Sequence, residues 1–331
     1  MIKHSFALLV LSVVCLFLAF QQPSSADERM EDSYEVILVT ANPTDGFNYP
    51  YFLRLPKSTS ELKRQYLIVE SNNSGVSDNL AIHTKKTRKA ILGFGPGPMV
   101  AGDLNMPLLM PVFPRSETNS LVYTHALDQD SMRVKEGPSA RLDLQLLSMT
   151  IDAKKILTAR KIMVGERFVM VGFSASGTFS NRFAFLHPDK LLAVVSGAVN
   201  AFPMLPVSTL EKQALPYPLG LSDITELTGR WFDKPAWISL PQLIFMGAAD
   251  DNDALQFNDA YSDAERKLVF QFVGQDMVKR WSKAQQIYLQ QNANTTLVTY
   301  GQVGHWTDGR IRNDMVNFVR AAMLKDIKTT N

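Results

Sequence analysis

In Gly172-Phe173-Ser174-Ala175-Ser176-Gly177 a serine stands two residues after one small residue and two before another. A serine held on a strained strand-to-helix turn needs small residues at those places, because strand and helix close on each other there, and the turn presents its hydroxyl as a nucleophile. A G-x-S-x-[GS] string arises by chance about 0.2 times in a chain of this length. The string therefore gains weight from its place, after the apolar Phe168-Val169-Met170-Val171 and before an amphipathic run. The competing reading is a tight turn in which Ser174 caps the helix.

Covalent chemistry at such a serine needs an acid and then a histidine, each after a later strand. Leu243-Ile244-Phe245-Met246-Gly247 runs into Ala248-Ala249-Asp250-Asp251-Asn252-Asp253, and Leu297-Val298-Thr299-Tyr300 runs through Gly301-Gln302-Val303-Gly304 to His305. Both follow Ser174 in the required order. Of the three aspartates Asp250 is preferred, since it emerges first beyond the strand, while Asp251 and Asp253 suit helix capping. The acidic run equally fits a calcium-binding loop or N-terminal capping before Ala254. The other histidines compete poorly: His187 precedes Pro188 at a helix end, His83 lies in a helical run, and His125 follows no core strand. His125 is kept as a possible substrate-pocket residue.

The elements that must position these residues alternate. Tyr34 to Thr40 and Tyr51 to Leu55 read as a hairpin around Asn42-Pro43-Thr44-Asp45-Gly46. Tyr66 to Glu70 reads as a buried strand ending in the loop Ser71 to Gly75. Helical runs over 78–92, 140–160, 176–186, 254–291 and 308–327 alternate with strands over 107–113, 168–171, 191–195, 243–246 and 297–300. Such alternation implies parallel βαβ units, so an α/β architecture is expected: a mostly parallel sheet of about eight strands with helices on both faces. Between Asn200 and Pro241 five prolines, Tyr217, Trp231 and Trp237 break the periodicity. This long irregular segment is expected to be either packed surface or a cap-like excursion over a site.

Composition narrows the partners. With 34 Lys+Arg against 32 Asp+Glu, a net charge of +2 does not make a nucleic-acid-binding face. The Lys85-Lys86-Thr87-Arg88-Lys89 cluster is expected on a solvated helix face. Phe6 to Phe20 is apolar except for Ser12, follows Lys3 and His4, and precedes Ser24-Ser25-Ala26. That pattern predicts a secretory signal peptide over 1–26 cut after Ala26, with an uncleaved membrane anchor as the alternative. Residues 27–331 would then form one exported domain, periplasmic or secreted. Its only cysteine, Cys15, would be removed, so a thiolate metal site or a cysteine nucleophile is excluded from the mature chain.

The order of elements, the Ser174 turn, Gly247-Ala248-Ala249-Asp250 and Gly304-His305 resemble the α/β-hydrolase superfamily across most of the mature chain. Gly172 to Gly177, then His187-Pro188-Asp189, then Ser196-Gly197, is similar to its secreted esterase and polyhydroxyalkanoate-depolymerase-like branch; Ser176 departs from the glycine usual there. The resemblance implies hydrolysis of carboxylic ester or related acyl bonds, small or polymeric, through an acyl-enzyme, without metal or organic cofactor. Ser174 would be the nucleophile, His305 the base and Asp250 its orienting acid. The backbone N–H of Ala175 would supply one oxyanion donor and the 71–75 loop another, at Asn73. An acyltransferase on the same scaffold and a non-catalytic binding protein are the alternatives.

Overall fold

A computed structural model of the chain describes residues 34–58 and 64–330. The expected signal segment, with Cys15, lies outside them. Eight strands form one sheet: β1 (Val36–Val39), β2 (Tyr51–Arg54), β3 (Ile68–Val69), β4 (Leu108–Pro111), β5 (Phe168–Phe173), β6 (Leu191–Gly197), β7 (Gln242–Gly247) and β8 (Thr295–Tyr300). Their order is β1-β2-β4-β3-β5-β6-β7-β8. β2 pairs antiparallel with both β1 and β4, and every later pairing is parallel. The longer helices are α1 (Leu80–Leu92), α2 (Pro96–Asp103), α3 (Leu142–Ala159), α4 (Ala175–Leu186), α5 (Met277–Gln290) and α6 (Gly309–Thr330).

The central strands are apolar at successive positions because both faces are covered. In β5, Phe168 and Met170 pack with Leu146 and Met149 of α3 and Phe179 and Phe183 of α4, while Val169 and Val171 pack with Val100 of α2 and Met315 and Val319 of α6. In β7, Ile244 and Met246 take the first face, Leu243 and Phe245 the second. A period of two inside an unbroken apolar run thus builds two cores on one sheet.

Three elements differ from expectation. β3 is regular over only two residues: the Leu67 carbonyl and the Glu70 N–H still bond to β5 and β4, but the Tyr66 N–H turns to Met106 Sδ at 3.3 Å. Gly95-Pro96-Gly97-Pro98 opens helix α2, where a proline costs no hydrogen bond since first-turn N–H groups have no helical acceptor. The stretch 254–291 divides into a 3-10 turn (Ala254–Gln256), a short helix (Asp263–Leu268), a wide turn (Val269–Val273) and α5.

The 200–241 segment holds a two-residue hairpin (Thr209–Leu210 with Gln213–Ala214) and two short helices (Ile224–Thr228, Lys234–Ser239). Its apolar residues divide between cores. Tyr217, Ile224 and Trp237 join the α3–α4 side, and Trp237 stacks on Phe185 with centroids 4.9 Å apart. Phe202, Leu205, Leu215 and Leu219 make a third cluster with Leu255 and Tyr261.

Candidate active site

Ser174 sits at the tip of the turn between β5 and α4 with φ 59° and ψ −125°. A non-glycine residue at positive φ is held there only when its surroundings determine the backbone. Here the Ser174 N–H donates to the Gly197 carbonyl of β6 (2.9 Å), and its carbonyl accepts the N–H and hydroxyl of Thr178 (2.8 and 3.0 Å). Gly172 is required for the approach: a Cβ there would lie 2.2 Å from the Ser176 carbonyl oxygen. Ser176 fits because its hydroxyl folds back onto the turn, where it accepts the Phe173 N–H at 2.9 Å.

At the C-terminal end of β7, Asp250 is bound to His305. His305 Nδ1 lies 3.1 and 3.0 Å from the two Asp250 carboxylate oxygens, and the Asn252 N–H donates to Oδ1 at 3.1 Å. The Asp250 side chain is 1% exposed and that of His305 27%, so the acid is sealed behind a base that faces solvent. The His305 ring lies against Phe173, the residue before Ser174, with centroids 4.9 Å apart. With Nδ1–H given to Asp250, the Nε2 lone pair is available. The Asn252 side-chain amide takes it at 3.1 Å. Among the described residues the half-buried Ser174 hydroxyl has no hydrogen-bond partner. The structure thus joins acid to base and sets the base beside the turn, without joining base to serine.

The other two aspartates differ. Asp253 caps the Ala254–Gln256 turn by accepting the Leu255 N–H (3.1 Å) and pairs with the fully buried Arg280 (2.6 Å). Asp251 is exposed, and among the described residues its side chain caps no helix. Among the described residues no three His, Cys, Asp or Glu side chains converge on one point.

Ala175 opens α4, where its N–H is one of the four without a helical acceptor. Asn73 is exposed, and its backbone N–H has no partner among the described residues. The loop carrying it is held from behind. Asn72 donates to the Phe113 carbonyl (2.8 Å) and accepts the Phe113 N–H (3.0 Å). The Ser74 hydroxyl meets His83 Nδ1 at 2.7 Å, and His83 Nε2 meets the Ser77 carbonyl at 2.8 Å.

His125 belongs to this buried network and not to a substrate pocket. It is fully buried and donates from Nε2 to the Phe113 carbonyl at 2.9 Å. Burial above all pulls its pKa down to about 3; the bond to Phe113 works against this, while His83, Arg115 and Lys86 add to it. His187 occupies the α4 C-cap, and its side chain pairs with buried Asp143 at 2.9 Å. Lys85, Lys86, Arg88 and Lys89 are exposed, as a solvated face requires. The sequence reading gives no site role to Asn252, Glu70 or the Asn72–Ser74–His83 network. Asn252 and Glu70 act through contacts 53 and 106 positions away, and Asn72 meets Phe113 41 positions on, which no local spacing announces.

No family model matches this chain, and no curated protein matches it in sequence. Solved structures do. Poly(aspartic acid) hydrolase-1 from Sphingomonas sp. KT-1 superposes with a TM-score of 0.54 at 17% identity, covering 88% of this chain and 97% of its own. The LpqC poly(3-hydroxybutyrate) depolymerase from Bordetella parapertussis gives 0.51 at 15% identity, covering 85% and 93%. With the strand order above, these likenesses show an α/β-hydrolase fold.

Proposed function

We propose that this chain is an exported serine hydrolase that cleaves carboxylic ester or related acyl bonds in a small or polymeric substrate. The observation that carries the reading is the Asp250–His305 pair beside Phe173, one residue from a serine at positive φ. Both solved structures named above bear the names of polymer-cleaving enzymes, which agrees with an acyl substrate.

Ser174 Oγ forms a bond to the acyl carbonyl carbon as its proton passes to His305 Nε2, once Asn252 releases that lone pair. The oxyanion is received by the N–H groups of Ala175 and Asn73. The leaving alkoxide departs with the proton from His305, and water, activated by the same base, hydrolyses the acyl-enzyme. Asp250 keeps the imidazole in the tautomer that presents Nε2 and stabilises its cation.

The test is labelling with a fluorophosphonate, alongside hydrolysis of short acyl esters by wild type and Ser174→Ala. One adduct on Ser174 is expected, with hydrolysis falling by several orders of magnitude in a variant of unchanged circular dichroism. An adduct elsewhere, or a Ser174→Ala variant that hydrolyses as well as wild type, overturns the assignment.

A further inference from the structure

Glu70 follows β3 and is 6% exposed, and among the described residues no cation is bonded to it. One carboxyl oxygen accepts the Gly97 N–H in the first turn of α2 at 2.9 Å, and the other lies 3.2 Å from Ser176 Oγ. That hydroxyl accepts the Phe173 N–H at 2.9 Å and lies 2.9 Å from the Phe173 carbonyl. Glu70, Ser176 and Phe173 therefore form one chain of contacts ending at the residue that precedes Ser174. A Cβ on Gly97 would lie 2.5 Å from the Glu70 oxygen, so the α2 turn admits the carboxyl only because glycine stands there.

We propose that Glu70 is a positioning residue for the nucleophile, acting through Ser176, and that it tightens the turn when protonated. The inference rests on the reading of Ser174 as nucleophile. An ionised Glu70 can only accept, so the Ser176 hydroxyl donates to it and holds Phe173 by the N–H alone. A protonated Glu70 donates to Ser176 Oγ, and the hydroxyl hydrogen turns to the Phe173 carbonyl. Phe173 is then held at both its N–H and its C=O.

The switch falls in a useful range. Burial raises this carboxyl to about 7, against the Gly97 N–H and the Ser176 hydroxyl, which favour the ionised form. The residues facing it, Gly95 and Gly97 before and within α2 and Ser176 of α4, carry no charge. Three titratable groups on the elements around it are engaged elsewhere. Arg54 donates to the Pro98 carbonyl at 2.8 Å, Arg312 of α6 pairs with Asp103 of α2, and His305 pairs with Asp250.

Glu70→Gln keeps an acceptor for Gly97 and a donor for Ser176, and so fixes the protonated arrangement at every pH. The experiment compares fluorophosphonate labelling rates and kcat/KM of wild type and Glu70→Gln from about pH 5 to pH 9. The variant-to-wild-type ratio should be near one at acid pH and rise about two- to tenfold across neutrality, the worth of one hydrogen bond. In a Ser176→Ala background kcat should drop by up to about tenfold with KM unchanged, and the pH step should shrink. An infrared carboxylic-acid band that titrates near neutrality in wild type and is missing from Glu70→Gln reports the same proton without turnover. A labelled wild type whose ratio stays flat overturns this inference alone, as does a step undiminished by Ser176→Ala. A wild type that takes no label at Ser174 overturns the hydrolase reading, and this inference with it.

Discussion

Asp250, Asp251 and Asp253 lie within four positions and have three different surroundings, so they can be separated by experiment. Asp250 is hydrogen-bonded to His305, and in the proposed mechanism Asp250→Asn keeps the shape of the pair while favouring the wrong imidazole tautomer. Turnover should fall about 10⁴-fold with the fold intact. Asp253 is the counter-charge of Arg280, whose side chain is 0% exposed. Asp253→Asn should cost about 3–5 kcal/mol of stability, seen as a lowered unfolding midpoint in urea, because it strands a buried cation. Asp251→Asn should do neither. Full loss of turnover in a folded Asp251→Asn or Asp253→Asn, with Asp250→Asn near wild type, would move the acid assignment. The preference for Asp250 was legible in the sequence because a strand's last apolar residues fix where the chain first clears the sheet. Asn252 was not, since its importance lies in meeting a ring 53 positions away.

Elements were legible in proportion to how far local pattern and tertiary burial agree. β5, β6 and β7 read plainly because strands covered on both faces are apolar without interruption. β3 read too long, since a run of apolar residues does not say which of its N–H groups a neighbouring strand accepts. α2 was invisible, as Gly-Pro-Gly-Pro signals a turn unless one knows that Gly97 must admit Glu70. The turn at Ser174 was legible from its small residues together with their place between an apolar strand and an amphipathic run, and it is the most demanding junction in the site. Gly172→Ala would bring a methyl group to 2.2 Å from the Ser176 carbonyl oxygen, which belongs to backbone and cannot rotate away. A loss of about 1–3 kcal/mol in stability is expected from such overpacking, with labelling of Ser174 falling further than the unfolded fraction accounts for. A Gly172→Ala variant as stable and as readily labelled as wild type would mean that the strand–helix approach is not what sets Ser174 for its proposed role.

At the scale of the whole molecule, two expectations concern where the chain works and over what pH it stays folded. Among the described residues no helix is long and apolar enough to cross a membrane. If residues 1–26 act as a signal peptide, intact-mass measurement of protein from its native host should give Asp27 as the mature amino terminus; recovery of Met1 to Ala26 in a membrane fraction would favour the anchor. Stability against pH is the sum of buried groups that pull in opposite directions. Glu70 and Asp128 are raised, to about 7 and about 6, chiefly by burial. Their contribution is full at acid pH and is lost as pH rises through those values. His125 works the other way. Its pKa falls, chiefly through burial, from the ordinary 6.5 to about 3, so the unfolded chain takes up a proton between those values that the folded chain refuses. His125 therefore contributes fully above about pH 6.5, and its contribution drains at about 1.4 kcal/mol per pH unit as pH falls towards 3. Because the carboxyls mask this in the wild-type curve, the decisive quantity is a difference. His125→Gln retains a donor for the Phe113 carbonyl but cannot titrate. Urea unfolding of both proteins at several values between pH 7.5 and 4.5 should show the wild type losing stability relative to His125→Gln, with up to the slope of one proton. A difference that stays constant over that range would mean that His125 titrates alike in the folded and unfolded chains, and that the network behind the Asn73 loop is not sealed from water.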